Sequence, residues 1–221
     1  MTFSLLAKDS DTGAIGGAAA TGSLCVGGWV LRGRLGAGMS ASQGAAPSTF
    51  WGEDVLDAMG EGIDAGTAVT RVTGPDKGRD WRQLSALDMA GRAAAFTGIR
   101  NTPEMHSRIF DGGVAAGNML ASKEVVEVLA DAFQGAAGSF DKRLLSALRA
   151  AERAGSDMRG LYSAALLVLR PDHAPLTLRI DLHDSDPIGA LEILHGRATV
   201  GDYAEWARQV PCPKDPTRVL S

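Results

Sequence analysis

Met1-Thr2-Phe3-Ser4-Leu5-Leu6-Ala7-Lys8, followed by Asp9-Ser10-Asp11-Thr12-Gly13 and the small-residue run Ala14 to Thr21, is the stretch on which the fold turns. Phe3 to Lys8 reads as a buried strand, and the Asp/Ser/Thr/Gly cluster is a turn. Two strands joined in this way predict an antiparallel hairpin at the head of the chain. The same stretch bears on chemistry. A threonine whose own amine is free has a hydroxyl nucleophile and a base of pKa near ~8 on one residue. While Met1 is attached the Thr2 amine is acylated and that route is closed. Otherwise Thr2 is a β-branched residue opening a strand.

Working outward, Leu35 to Gln43 is a second strand of small residues, its glycines permitting close backbone approach. Pro47 and Ser48 lead into a helix carrying Val55, Leu56 and Met59, and Asp64 caps a shorter one through Ala65 to Val72. Gln83 to Asp88 and Arg92 to Thr97 flank Met89-Ala90-Gly91 as a second hairpin. Residues 98–113 lack a clean period and read as a long loop, and Val114 to Leu120 as a short strand. Ser122 and Ser139 open two helices, the first with Val125, Val128, Leu129, Ala132 and Phe133 on one face, the second with Leu144, Leu148 and Ala151. Leu161 to Arg170 and Pro175 to Asp181 make a third hairpin. Asp186-Pro187 caps a helix, Thr199 caps a last amphipathic segment to Val210, and the Pro-rich tail 211–221 is expected to be extended. Blocks of antiparallel strands separated by paired helices place the chain, 1–221 as a single domain, in the α+β class. Two antiparallel sheets stacked between helices, a four-layer αββα sandwich, would bury the uncharged strands on both faces.

Composition narrows the function classes. The net charge is −4 and basic residues do not cluster, which argues against a nucleic-acid partner. No stretch approaches the ~20 apolar residues of a membrane span, and the opening residues lack a signal peptide's basic and long apolar regions. Cys25 and Cys212 are far apart and read as reduced thiols. These features predict a cytoplasmic protein. The Trp206 helix and the tail offer apolar surface that predicts a homo-oligomer.

Five groups of segments stand out: Thr2-Phe3-Ser4-Leu5-Leu6-Ala7-Lys8-Asp9 with Thr12-Gly13, Arg92-Ala93-Ala94-Ala95-Phe96-Thr97-Gly98 and Gly117-Asn118-Met119-Leu120-Ala121. Asp157-Met158-Arg159-Gly160 with Ser163-Ala164-Ala165-Leu166, and Leu178-Arg179-Ile180-Asp181 with His183 and Asp186-Pro187, complete the set. Together they resemble a bacterial family catalogued as domain of unknown function 1028. The resemblance runs from residue 2 to about 194 and implies an N-terminal nucleophile (Ntn) hydrolase-like fold. It also marks departures. The family's Gln-Ala-x-x-Asn-Pro is here Gln43-Gly44-Ala45-Ala46-Pro47, without the asparagine, and its Arg-Gly-x-Gln-Ser is Arg159-Gly160-Leu161-Tyr162-Ser163. The lysine of the proteasome-like branch has no counterpart; Lys8 lies elsewhere on the strand.

Amide hydrolysis needs a nucleophile, a proton acceptor and donors for the oxyanion. Thr2 is the candidate nucleophile, Asn118 the candidate oxyanion donor, and Gln43 with Ser42 end a strand that faces a cleft. Asn118 equally suits a turn. Arg159 can hold a substrate carboxylate, or pair with Asp157 or helix-end carbonyls. His106 falls near a histidine of the family pattern. Of the acidic run, Asp181 and His183 share a face, but Asp186 has a capping position and Asp184 is solvated, so neither metal nor cofactor is assigned. Two readings follow: an amidohydrolase acting on a small amide or related C–N bond, or a non-catalytic small-ligand-binding or assembly protein on the same fold.

Overall fold

The head of the chain forms the expected hairpin. In the computed structural model, which describes residues 1–155 and 160–220, β1 (Thr2–Lys8) pairs antiparallel with β2 (Ile15–Thr21), Thr2 opposite Thr21. Four further strands extend this sheet: β7 (Glu104–Phe110), β8 (Gly113–Leu120), β9 (Ser163–Leu169) and β10 (Leu176–Ile180), in the order β10-β9-β2-β1-β8-β7. A second antiparallel sheet has the order β3-β4-β5-β6, from β3 (Leu31–Arg34), β4 (Gly38–Gly44), β5 (Arg82–Asp88) and β6 (Ala93–Thr97).

Seven α-helices occur among the described residues: α1 (Val26–Trp29), α2 (Thr49–Gly60), α3 (Ala65–Thr73), α4 (Glu124–Gly135), α5 (Phe140–Arg153), α6 (Pro187–Thr199) and α7 (Asp202–Gln209). Ser48 caps α2 through Trp51 N, Asp64 caps α3 through Thr67 N at 3.1 Å, and Asp186 caps α6 through Gly189 N at 2.7 Å. Each satisfies an amide that the helix itself leaves open.

Strand alternation sorts the core into layers. From β1, Phe3, Leu5 and Ala7 turn outward and pack with Val125, Leu129, Leu144 and Leu148 of α4 and α5. Leu6 turns the other way, into a cluster with Ile15, Met39, Leu87 and Val114 that joins the two sheets face to face. Beyond the second sheet, Leu84 and Ala86 pack under Trp51, Val55 and Val69 of α2 and α3.

Four local expectations change, and one stretch without an assignment gains two elements. The supposed loop 98–113 contains β7, an edge strand whose half-buried residues show no clear alternation. Residues 22–34 hold α1 and β3, which their glycine content concealed. Helix α4 starts after Lys123 without a side-chain cap, so Ser122 does not serve as one. Thr199 ends α6, donating to His195 O at 2.8 Å, while Gly201 at φ 77° precedes α7. The tail turns back instead of extending: Cys212 N and O pair with Asp215, and Lys214 N donates to Pro171 O at 2.7 Å.

Candidate functional site

Register makes the space between the sheets polar at one end and apolar at the other. Leu6, Gly17 and Val114 lie in one row of the first sheet, opposite the level of Met39, Leu87 and Ala93 in the second. Two residues along come Ser4, Ala19 and Ala116, with Ala41, Ser85 and Ala95. The terminal row holds Thr2, Thr21 and Asn118 on one sheet and Gln43, Gln83 and Thr97 on the other. A row of buried hydroxyls and amides in a domain core is costly unless its members bond one another, or serve a site.

Gln83, on β5, is the hub. Its Oε1 accepts from Gln43 Nε2 at 2.7 Å and from Asn118 Nδ2 at 3.2 Å, linking β4, β5 and β8. Its Nε2 donates to Thr97 Oγ1 at 2.9 Å, Gly117 O at 3.0 Å and His106 O at 3.2 Å. Gln43 Oε1 and Asn118 Oδ1 remain without a hydrogen-bond partner among protein atoms, as do Ser4 Oγ and Ser85 Oγ in the next row.

The polar row backs a pocket of about 310 Å³, with Met1, Thr2, Thr21, Trp29, Gln43 and Met119 in its wall. That volume is at the small end of ligand sites. No carboxylate, ammonium or imidazole side chain lines it among the described residues. Thr21 Oγ1 donates to Met1 O at 2.6 Å and lies 3.0 Å from Thr2 Oγ1. Thr21 has one hydroxyl proton and spends it on Met1, so Thr2 is the donor to Thr21. Met1 itself is 3% exposed, and its carbonyl also accepts from Gly22 N at 3.3 Å.

The model of the family of unknown function DUF1028 matches residues 2–191. This chain belongs to the DUF1028 family. A crystal structure of protein SPO2555 from Silicibacter pomeroyi, of the same family, has a TM-score of 0.97 and 59% identity, covering 100% of this chain and 96% of that one. Anbu (ancestral beta-subunit) from Yersinia bercovieri has a TM-score of 0.37 and 12% identity over 92% of this chain and 97% of that one, a likeness that carries no argument. No curated protein matches the sequence.

Of the candidates read from the sequence of this DUF1028 member, Thr2, Gln43 and Asn118 come together at the terminal row. Asn118 differs in role from expectation: its nitrogen is turned to Gln83, and the atom without a partner is its oxygen, which an oxyanion would repel. Ser42 points away from the pocket, because strand alternation sends it to the helix side, where it donates to Ser48 O at 2.6 Å. His106 also turns outward, its Nε2 2.6 Å from Glu127 Oε1 on α4; only its backbone carbonyl reaches the polar row. Asp157 and Arg159 lie outside the described residues. In the acidic run, Asp181 accepts from Arg179, His183 Nδ1 accepts from Asp186 N at 2.9 Å, and Asp186 is held by Arg149.

The sequence reading missed Gln83, Thr21 and Thr97. A period of two was present in Gln83-Leu84-Ser85-Ala86-Leu87, but it could not say which face met the other sheet.

Proposed function

We propose that this protein is an amidohydrolase of the N-terminal nucleophile kind, acting on a small amide or related C–N bond, and that its layers form the αββα sandwich of such enzymes. One observation carries the reading: Thr2, its hydroxyl 3.0 Å from that of Thr21, stands in the wall of a small pocket whose described lining has no ionisable side chain. The base that such a pocket needs is the α-amine of Thr2, freed when Met1 is removed.

Removal would also change Thr21. Its hydroxyl loses the Met1 carbonyl as acceptor and becomes able to donate to Thr2 Oγ1, leaving the Thr2 proton to the amine. Oγ1 then forms a bond to the substrate carbonyl carbon. The C–N bond breaks as the amine returns its proton to the leaving nitrogen. Water attacks the resulting ester and gives a proton to the amine, which passes it to Thr2 Oγ1 as the ester C–O bond breaks and the acid leaves.

Mass spectrometry of active material together with an ammonia-release screen of small amides tests this. Turnover is expected only in protein that begins at Thr2, and Thr2→Ala is expected to lower it by at least about 10³-fold with the fold intact. Activity in protein that retains Met1 throughout, or in Thr2→Ala, would sink the reading. The second reading, a ligand-binding protein that keeps Met1, is favoured by the burial of Met1 and the two donors on its carbonyl. It expects amides to raise the melting temperature without ammonia release.

A further inference from the structure

The orientation of three buried amides can be worked out from two backbone carbonyls. One end of the Gln83 amide faces His106 O at 3.2 Å and Gly117 O at 3.0 Å. Carbonyls only accept, so that end is the NH2 group and the opposite end is the oxygen. The oxygen lies 2.7 Å from Gln43 Nε2 and 3.2 Å from Asn118 Nδ2, so both residues must turn their NH2 groups to Gln83. Their carbonyl oxygens consequently face away from it, and both are buried with no partner.

Gln43 is 1% exposed and stands in the pocket wall, while Asn118 is fully buried and directly opposite Thr2 in register. Reversing either amide would satisfy its own oxygen no better, because an oxygen would then meet the Gln83 oxygen. The inner wall beside Thr2 therefore has unmet demand for hydrogen-bond donors, and a buried acceptor left unpaired favours whatever supplies one.

We propose that Gln43 and Asn118 form an acceptor site beside Thr2 for an N–H-bearing group of a small molecule, such as a primary amide. Gln83 does not touch that group; it is a positioning residue that sets the direction of both acceptors. This names the group carried by the substrate of the reading above and rests on that reading only in treating the bound molecule as a substrate. A carboxylate or ester in the same position would bring oxygen against oxygen.

The test uses Thr2→Ala protein, so turnover plays no part, and compares acetamide with methyl acetate, both neutral and of similar size. NMR titration is expected to move the Gln43 and Asn118 side-chain amide signals with acetamide, at least about tenfold tighter than with methyl acetate. In Gln83→Met, where both amides are free to turn, the preference is expected to fall to within about twofold. Should Gln83→Met fail to fold, the preference of the Thr2→Ala protein decides the matter alone. Equal binding of the two probes, no response at Gln43 and Asn118, or an unchanged preference in folded Gln83→Met would overturn the proposal. Acetamide binding without Thr2-dependent turnover would sink the hydrolase reading alone, and turnover without donor preference would sink only this one.

Discussion

At the start of α5 the Asp141 carboxylate is buried and lies 2.5 Å from His195 Nε2, with Arg170 at 3.5 Å. Burial alone would raise its pKa. Hydrogen bonds from His195 and Ser139 outweigh burial and hold the carboxyl well below its ordinary range. In the unfolded chain the group titrates near ~3.9. Because the folded value is lower, the stabilisation is complete above that pH and is lost as pH falls from there through the folded value. Asp141→Asn is expected to cost about 3 kcal/mol at neutral pH and to flatten the acid side of the stability profile, read by urea unfolding at several pH values. An unchanged acid slope would refute the assignment. Thr2, Gln43 and Asn118, singled out in the sequence, do stand at one level of the two sheets, although the Asn118 nitrogen is taken by Gln83. His195 was not: a histidine near a helix end carries no mark of the carboxylate that folding brings to it from 54 residues away. Gln83 was missed for the same reason, since its partners come from β4, β6, β7 and β8.

Among the elements, the four-residue helix α1 shows how little local sequence can suffice. Its place depends on Gly27, where a Cβ would come within 2.8 Å of Ala165 Cβ and 2.7 Å of Arg179 Cγ. Ser163 Oγ pins its entry, accepting from Val26 N at 3.1 Å and donating to Ser23 O at 2.8 Å. Because Val26 and Trp29 line the pocket, α1 forms part of the candidate site. Gly27→Val is expected to push α1 away from β9 at a cost of about 2 kcal/mol, a fall in Tm of roughly 4 to 8 °C. Trp29 fluorescence should shift with it; an unshifted spectrum and Tm would show that α1 tolerates the side chain. Helices α2, α3, α5 and α6 were readable because each has a recognisable start and a regular apolar face. Strand β7, on the sheet edge with residues that are half-buried apart from exposed Ile109, offers no such contrast. Nor does β3, two of whose four residues are arginines.

For the molecule as a whole, the decisive contact is between the sheets. Leu6 of the central strand β1 is fully buried there with Met39 and Leu87. Leu6→Ala is expected to cost about 3 kcal/mol in denaturant unfolding, with near- and far-ultraviolet signals moving together. Separate transitions would mean that the two sheets unfold independently. No helix among the described residues is long and apolar enough to cross a membrane. The sequence by itself determined the hairpins and the main helices, because turn chemistry, capping and periodicity act over a few residues; the face of α4 came out shifted, with Val126 and Ala130 buried instead of Val128 and Ala132. The sequence also determined membership of the DUF1028 family. Only the tertiary structure decided which strand faces meet, that Ser42 and His106 turn away from the pocket, and that three amides lock one another's direction. Those outcomes depend on register between strands as much as about 150 residues apart, such as β2 and β9, and one step of register exchanges the inner and outer faces of a strand.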